Sequence, residues 1–416
     1  MRRVAIVVLM AVGIASCAWP MAGQGPDRRA WNGTERAFTP TSVAQVRDNW
    51  SVPANFGQEV VGDRHGVFFR SKDLLQALDP ATGTERWHAA VTGTSVPGLV
   101  GDGVVVAVDG PSCTVRRLTA STGAPQASAT IGYAYGANAT TRSCTAARSV
   151  LTDNGRIAVS TASSATFAFP GCGGTPSNQL WGAATTVSVL DDTLHPVWTA
   201  TDATIGCGTP PATSPVALFG DVTRTRAHYV VPQGNDVVAF PQSCTTPCAP
   251  AWRATFGGPV HTAVALPGGR IGVGAAFTPF PVIADSNGGA LWTGATGAAF
   301  GFAATDTTIF FASSFGLVAY PIDGCGAPTC APAWTAPLGG RIPLFPPVVA
   351  GDVVILPTWE TSGLFFDARG CAAATCTALP GQAPAFDTQG AVSVINGRIY
   401  AANAGRGLLT FVVAPA

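Results

Sequence analysis

Charge is scarce in this chain. Of 416 residues only 11% are Asp, Glu, Lys or Arg, Lys72 is the single lysine, and the formal net charge is zero. A nucleic-acid partner needs a basic face to neutralise phosphates, so that class is excluded. Catalytic signatures are missing too. There is no HExxH, no GxSxG, no phosphate-binding glycine-rich loop and no CxxCH haem attachment. The histidines His65, His88, His195, His228 and His261 are scattered and read as structural or surface residues. Glu59, Glu85 and Glu360 have no metal-ligand spacing around them, so no metal site is expected. Long apolar periods of 3.6 residues are absent as well, which argues against a helical domain.

What is abundant points to strands and turns. Glycine (49) and proline (33) punctuate short runs rich in Val, Thr and Ala. The fold class expected is all-β.

The first residues read as an export signal. Met1-Arg2-Arg3 is a basic start, and Val4 to Ala15 is apolar. A helix over that run, at ~1.5 Å per residue, falls short of a ~30 Å bilayer core. No later run is apolar enough to span a membrane. Two cleavage readings fit. Ile14-Ala15-Ser16-Cys17 has the form of a lipobox, with a signal over residues 1–16 and a lipid on Cys17. Ser16-Cys17-Ala18 instead allows cleavage after Ala18. Either way the protein is extracytoplasmic, lipid-anchored or secreted, and a membrane is met only through that anchor.

Both readings take Cys17 out of the disulfide count and leave ten of the eleven cysteines. Six form local pairs, Cys244/Cys248, Cys325/Cys330 and Cys371/Cys376, which read as loop-closing disulfides in an oxidising compartment. Each pair is expected to close the turn between the last two strands of its own blade. For the rest, Cys113 with Cys144 and Cys172 with Cys207 is the simplest pairing.

Residues 74–87, LLQALDPATGTERW, form the clearest copy of a repeated unit of strand, turn and strand ending in Trp. The terminal Trp returns at Trp198, Trp252, Trp292 and Trp334, while Ala127 and Pro380 stand in its place in two units. Asp79 reads as a turn-capping residue. A unit of roughly 40 residues cannot bury its own apolar face, so the copies must stack on one another. The last strands, NGRIYAANAGRGLLTFVV, lack a Trp segment, and TSVAQVRDNW, ending at Trp50, lacks strands before it. Joining the two ends makes eight four-stranded blades in a closed ring. Residues 17–40 are then a lead-in and residues 41–416 one propeller.

The segment ALDPATGTERW resembles the tryptophan-docking repeat of the pyrroloquinoline quinone (PQQ) type propellers, with Ala77, Asp79, Gly83 and Trp87 in the repeat slots. The opening WPMAGQGPDRRAWN resembles the start of the same superfamily. The resemblance implies an eight-bladed β-propeller in which each Trp packs between adjacent blades. It also implies two kinds of relative. Quinoprotein alcohol and polyvinyl alcohol dehydrogenases use PQQ with calcium. Outer-membrane assembly lipoproteins of the BamB type are binding scaffolds without cofactor.

The larger dehydrogenases hold the quinone between a Trp floor and two adjacent cysteines, and this sequence has no Cys-Cys. Trp31, Trp181 and Trp359 lie outside the docking positions, and Trp359-Glu360 is the first place to look for a cofactor. The expectation is a monomeric, non-catalytic binding module of the cell envelope. It would take a protein, glycan or small ligand at a ring face or the central channel. A PQQ-dependent alcohol dehydrogenase is the alternative.

Overall fold

The computed structural model describes residues 23–53, 60–63, 66–71, 73–93, 95–133, 139–146, 149–167, 180–207, 220–275, 279–296, 301–313, 316–343, 345–358, 363–380, 391–403 and 407–414. Among these there is no α-helix, and one 3-10 turn, Ser42–Gln45, precedes the ring. Eight sheets follow one another along the chain. Blade 1 holds Val61–Gly62, Val67–Ser71, Leu74–Leu78 and Glu85–Ala90, from the axis outwards. Blade 8 takes three strands from the C-terminal end, Val392–Ile395, Arg398–Asn403 and Gly407–Val413. Its outer strand is Val46–Val52, paired antiparallel with Gly407–Val413 from Val46 against Val413 to Val52 against Leu408. The ring is therefore closed by the chain's own two ends.

Burial follows position in the blade. The second strand of blade 2, Gly103–Val108, is buried at every residue, because blades cover it on both sides. The outer strand Glu85–Ala90 buries Trp87 and exposes Glu85, Arg86 and His88. The inner hairpins turn on Asn154-Gly155 and Asn396-Gly397, all with positive φ, the pair that type I′ turns require.

Each docking tryptophan reaches into the next blade. Trp87 of blade 1 lies on the turn of blade 2, where a Cβ on Gly123 would stand 2.6 Å from the indole. Its Nε1 donates to Ala120 O at 2.8 Å. Trp50 on Gly83, Trp252 on Gly288, Trp292 on Gly324 and Trp334 on Gly370 repeat the fit. Glycine is needed there twice over, for its positive φ and for its missing side chain.

Three junctions differ, each for a physical reason. Blade 2 carries Ala127, and the turn of blade 3 answers with Leu194 at φ 68°, buried in the apolar cluster that Ala127 packs against. Trp198 of blade 3 is fully buried against Tyr229, Phe240 and Cys248 of blade 4, where a disulfide loop replaces the glycine turn. Blade 7 carries Pro380, which is exposed, and the third and outer strands of blade 8 come from opposite ends of the chain. No turn exists there for a tryptophan to dock on.

All three local disulfides are formed, Cys244–Cys248, Cys325–Cys330 and Cys371–Cys376. Each loop also reaches backwards. Thr329–Cys330 of blade 6 pairs in parallel with the outer strand of blade 5, Ala290–Gly294. Cys248 N in blade 4 donates to Thr199 O in the outer strand of blade 3 at 3.2 Å. Cys376 is the clearest case. It does not simply close a surface turn of blade 7: it is buried in the largest apolar cluster, and its N–H donates to Thr335 O of blade 6 at 2.7 Å. Thr335 lies in the outer strand of blade 6, Trp334–Ala336, and its own N–H donates to Ala374 O of the same loop at 2.9 Å. That strand would otherwise leave an unpaired edge, and the loop of Cys371 and Cys376 supplies its partners. Each loop thus covers the open edge of the blade before it. Cys113–Cys144 is formed as well, while Cys172 and the Cys207 side chain lie outside the described residues.

Candidate functional site

The two ends of the central channel differ. One end is crossed by the lead-in. Trp31–Asn32 pairs in parallel with the inner strand of blade 7, Val348–Ala350, on its axis side, so the lead-in runs inside the ring. Its carbonyls accept from the ends of successive inner strands. Pro26 O takes Arg224 N of blade 4 at 2.7 Å, Asp27 O takes Ala265 N of blade 5 at 2.9 Å, and Arg29 O takes Ala304 N of blade 6 at 2.8 Å. Ala30 O takes Val349 N of blade 7 at 2.9 Å. Asn32 Nδ2 donates to Val394 O of blade 8 at 3.1 Å, and Glu35 Oε2 accepts Gly397 N of the same blade at 2.9 Å.

Arg28 is only 7% exposed and turns towards blades 3 and 4. Its Nε donates to Val222 O at 2.7 Å and its Nη1 to Ser149 Oγ, with Asp221 Oδ2 at 3.8 Å. A buried guanidinium is tolerable only when acceptors surround it, and these do. Much of the chain's scarce charge sits at this closed end as pairs. Arg29 meets Asp306 at 2.7 Å, Arg117 meets Asp102 at 3.0 Å, and Arg224 meets Asp153.

At the other end blade 3 stands taller than its neighbour. In blade 3 the strands Arg156–Phe167, Leu180–Asp191 and Pro196–Cys207 each run twelve residues, against six for the second, third and outer strands of blade 2. The extra six residues, at ~3.3 Å each, raise the sheet by about 20 Å at the end opposite the lead-in. Ala139–Ala146 pairs along this extension, and Cys113–Cys144 ties it to blade 2. The starts of the inner strands are mostly small or apolar: Val60, Gly98, Gly220, Val260, Gly301 and Val392. Ser149, fully buried, and Asp221 are polar among them, but both are engaged by Arg28 of the lead-in, and Ser149 N donates to Asp221 Oδ1 at 2.8 Å. His261, exposed at the start of the inner strand of blade 5, adds an imidazole.

Two perturbed groups near this end have structural duties. Burial pushes the Asp109 carboxyl up, against the Ala146 N–H and Arg70. Burial pulls Arg70 down, with Asp109 and Asp73 opposing. Arg70 Nη2 donates to Val91 O at 2.9 Å in the connection from blade 1 to blade 2. Asp109 holds the Ala146 N–H at 2.8 Å in the segment leading to blade 3.

Among the described residues no three His, Cys, Asp or Glu side chains gather as a metal donor set. Cys244, Cys248, Cys325, Cys330, Cys371 and Cys376 are all spent in disulfides. Trp31 offers no floor: the Arg29 guanidinium lies 4.9 Å over its ring, and Gly33 is pressed against it. The Trp181 side chain, Trp359 and Glu360 lie outside the described residues. Asp79 holds its own turn through Ala81 N and Thr82 N at 2.9 and 3.0 Å, while the Arg86 guanidinium, bonded at 2.7 Å, keeps its carboxyl at about 2. Sequence reasoning missed Arg28, Asn32 and Glu35. For Arg28 and Glu35 the signal was present, since charge is scarce in this chain.

Solved structures share this architecture. BamB from Moraxella catarrhalis superposes with a TM-score of 0.57 at 14% identity, over 88% of this chain and 99% of its own. A quinohemoprotein alcohol dehydrogenase from Comamonas testosteroni gives 0.64 at 12% identity, over 96% and 81%. The fold is that of the PQQ-like, BamB-like eight-bladed propellers. The computationally designed Ika8 protein matches it too, with a TM-score of 0.59 at 10% identity over 88% of this chain. At such identities the PQQ-like likeness shows the fold alone. No family model and no curated protein sequence matches the chain.

Proposed function

We propose that this chain is a non-catalytic binding module of the bacterial cell envelope, exported by the segment before residue 17 and anchored through Cys17. One observation carries the reading. The ring is crossed at one end by its own lead-in and raises the blade 3 sheet at the other. A partner is held at that raised end, against the blade 3 extension and the exposed His261. The disulfides fit an oxidising compartment, and no helix among the described residues is long and apolar enough to cross a membrane.

The rival on the same fold is an alcohol dehydrogenase using PQQ, and the donor chemistry of the described residues does not support it. The test is direct. Mature protein is mixed with PQQ, calcium and a primary alcohol, and reduction of an artificial dye is followed. This reading expects no alcohol-dependent reduction above the protein-free rate. Turnover that scales with protein would overturn it.

A further inference from the structure

The sequence holds four Asn-Gly steps, at Asn32, Asn154, Asn287 and Asn396. Such a step can close on itself, because glycine carries no side chain to hinder its nitrogen. The Gly N–H gives its proton to solvent base, and the nitrogen bonds to the Asn Cγ. The Cγ–Nδ2 bond breaks and ammonia leaves, which completes a cyclic succinimide. Water then opens either carbonyl, giving aspartate or isoaspartate. No oxidant or cofactor takes part. The reaction needs an accessible carboxamide and a Gly nitrogen free of other bonds.

The fold withholds one or both from three of the four. Asn32 is fully buried, its Nδ2 donates to Val394 O at 3.1 Å, and its Oδ1 accepts from Thr34 Oγ1 at 2.9 Å. Beside Asn287, the nitrogen of Gly288 donates to Ala284 O at 2.9 Å, and Asn287 Oδ1 accepts from Gly289 N at 2.9 Å. Asn396 is exposed, but Gly397 N donates to Glu35 Oε2 of the lead-in at 2.9 Å. Asn154 differs. It stands exposed at the tip of the inner hairpin of blade 3, between Leu151–Asp153 and Arg156–Phe167. Gly155 N donates to no acceptor among the described residues, and a Cβ on Gly155 would meet nothing within 4 Å. The Asn154 carboxamide makes a loose contact, from Nδ2 to Asp153 Oδ2 at 3.4 Å.

We infer that Asn154 is a self-modifying site, the Asn-Gly step of the four that this fold leaves able to deamidate. A hairpin tip opens at lower cost than a packed strand, so the backbone there reaches the attacking geometry without unfolding the blade. The product adds a carboxylate beside Asp153, whose own carboxylate holds Arg224. Arg224 N in turn donates to Pro26 O of the lead-in at 2.7 Å. Isoaspartate also routes the chain through the side-chain carbon and lengthens the backbone of the turn. The change therefore falls at the end of the channel that the lead-in crosses.

Mature protein is held in oxygen-18 water at neutral and at mildly alkaline pH, with a urea-unfolded sample beside it. Tryptic mapping by mass follows the label entering each step, and the peptide of residues 149–156 reports Asn154 alone. In the folded protein Asn154 is expected to convert faster than Asn32, Asn287 and Asn396 by about tenfold or more, and faster still in alkali. In urea the four rates draw together, because the protecting bonds are gone. Three results would overturn the inference: equal rates in the folded protein, a lead for Asn154 that persists in full on unfolding, or a rate that does not rise with pH.

Discussion

Leu194 stands in the turn of blade 3 where other blades place a glycine, and Ala127 stands in blade 2 where other blades place a tryptophan. The two exceptions complement each other. A leucine side chain enters from the turn and fills the space that an indole fills elsewhere. Its φ of 68° costs a non-glycine residue on the order of 1 kcal/mol.

The pair makes a double-mutant test. Ala127→Trp alone overpacks the junction and is expected to destabilise by about 1–3 kcal/mol. Leu194→Gly alone empties it, at about 2–4 kcal/mol less the relieved backbone strain. Together they recreate the Trp87–Gly123 arrangement, so the double variant is expected to be more stable than the sum of the singles by about 1–3 kcal/mol. Urea denaturation of the four proteins checks this, and strict additivity contradicts it.

Cys325 and Cys330 close a loop that also lends Thr329–Cys330 to the outer strand of blade 5. Replacing both with serine is expected to cost about 2 kcal/mol from loop entropy. It should also speed exchange of the Thr293 and Ala295 amides, which donate to Pro328 O and Cys330 O in that loop. A stability loss without faster exchange at those amides would separate the loop's entropy from its docking.

Asp79 titrates at about 2, chiefly because Arg86 hydrogen-bonds its carboxylate, with help from the Thr82 and Ala81 amides. A carboxyl lowered in the folded state stabilises the fold above its unfolded value. That contribution is lost as pH falls from about 4 towards 2. Carboxyl NMR of Arg86→Gln is expected to show Asp79 moved up towards the ordinary aspartate range. An unmoved titration would mean that the turn amides alone hold it.

Arg28→Leu removes the guanidinium that ties the lead-in to Val222 O, Ser149 Oγ and Asp221. Leaving buried acceptors without their donor costs about 1–3 kcal/mol. The amides of Arg224, Ala265, Ala304 and Val349, which donate to the lead-in, should exchange faster as the strap loosens. Faster exchange spread evenly over the ring would instead mean that Arg28 stabilises the fold globally.

The ring was legible in the sequence because a repeat writes the same physics eight times. Trp87, Gly83 and the alternating strands announce a period, and the orphan strand before Trp50 announces closure. The site was less legible. Arg28, Asn32 and Glu35 occur once each, and their partners lie as far away as Val394 and Gly397. The disulfide pairs were readable as local loops. Their reach onto the preceding blade was not, because edge contacts such as Cys376 with Thr335 leave no spacing signature. Trp359 and Glu360 lie outside the described residues.

The central claim is that this PQQ-like ring is a binding module without the quinone. Absorbance titration of the mature protein with PQQ in the presence of calcium tests it most directly. The account predicts a spectrum that stays the sum of free quinone and protein at micromolar concentrations. A saturable shift of the quinone band, one quinone per chain, would contradict it.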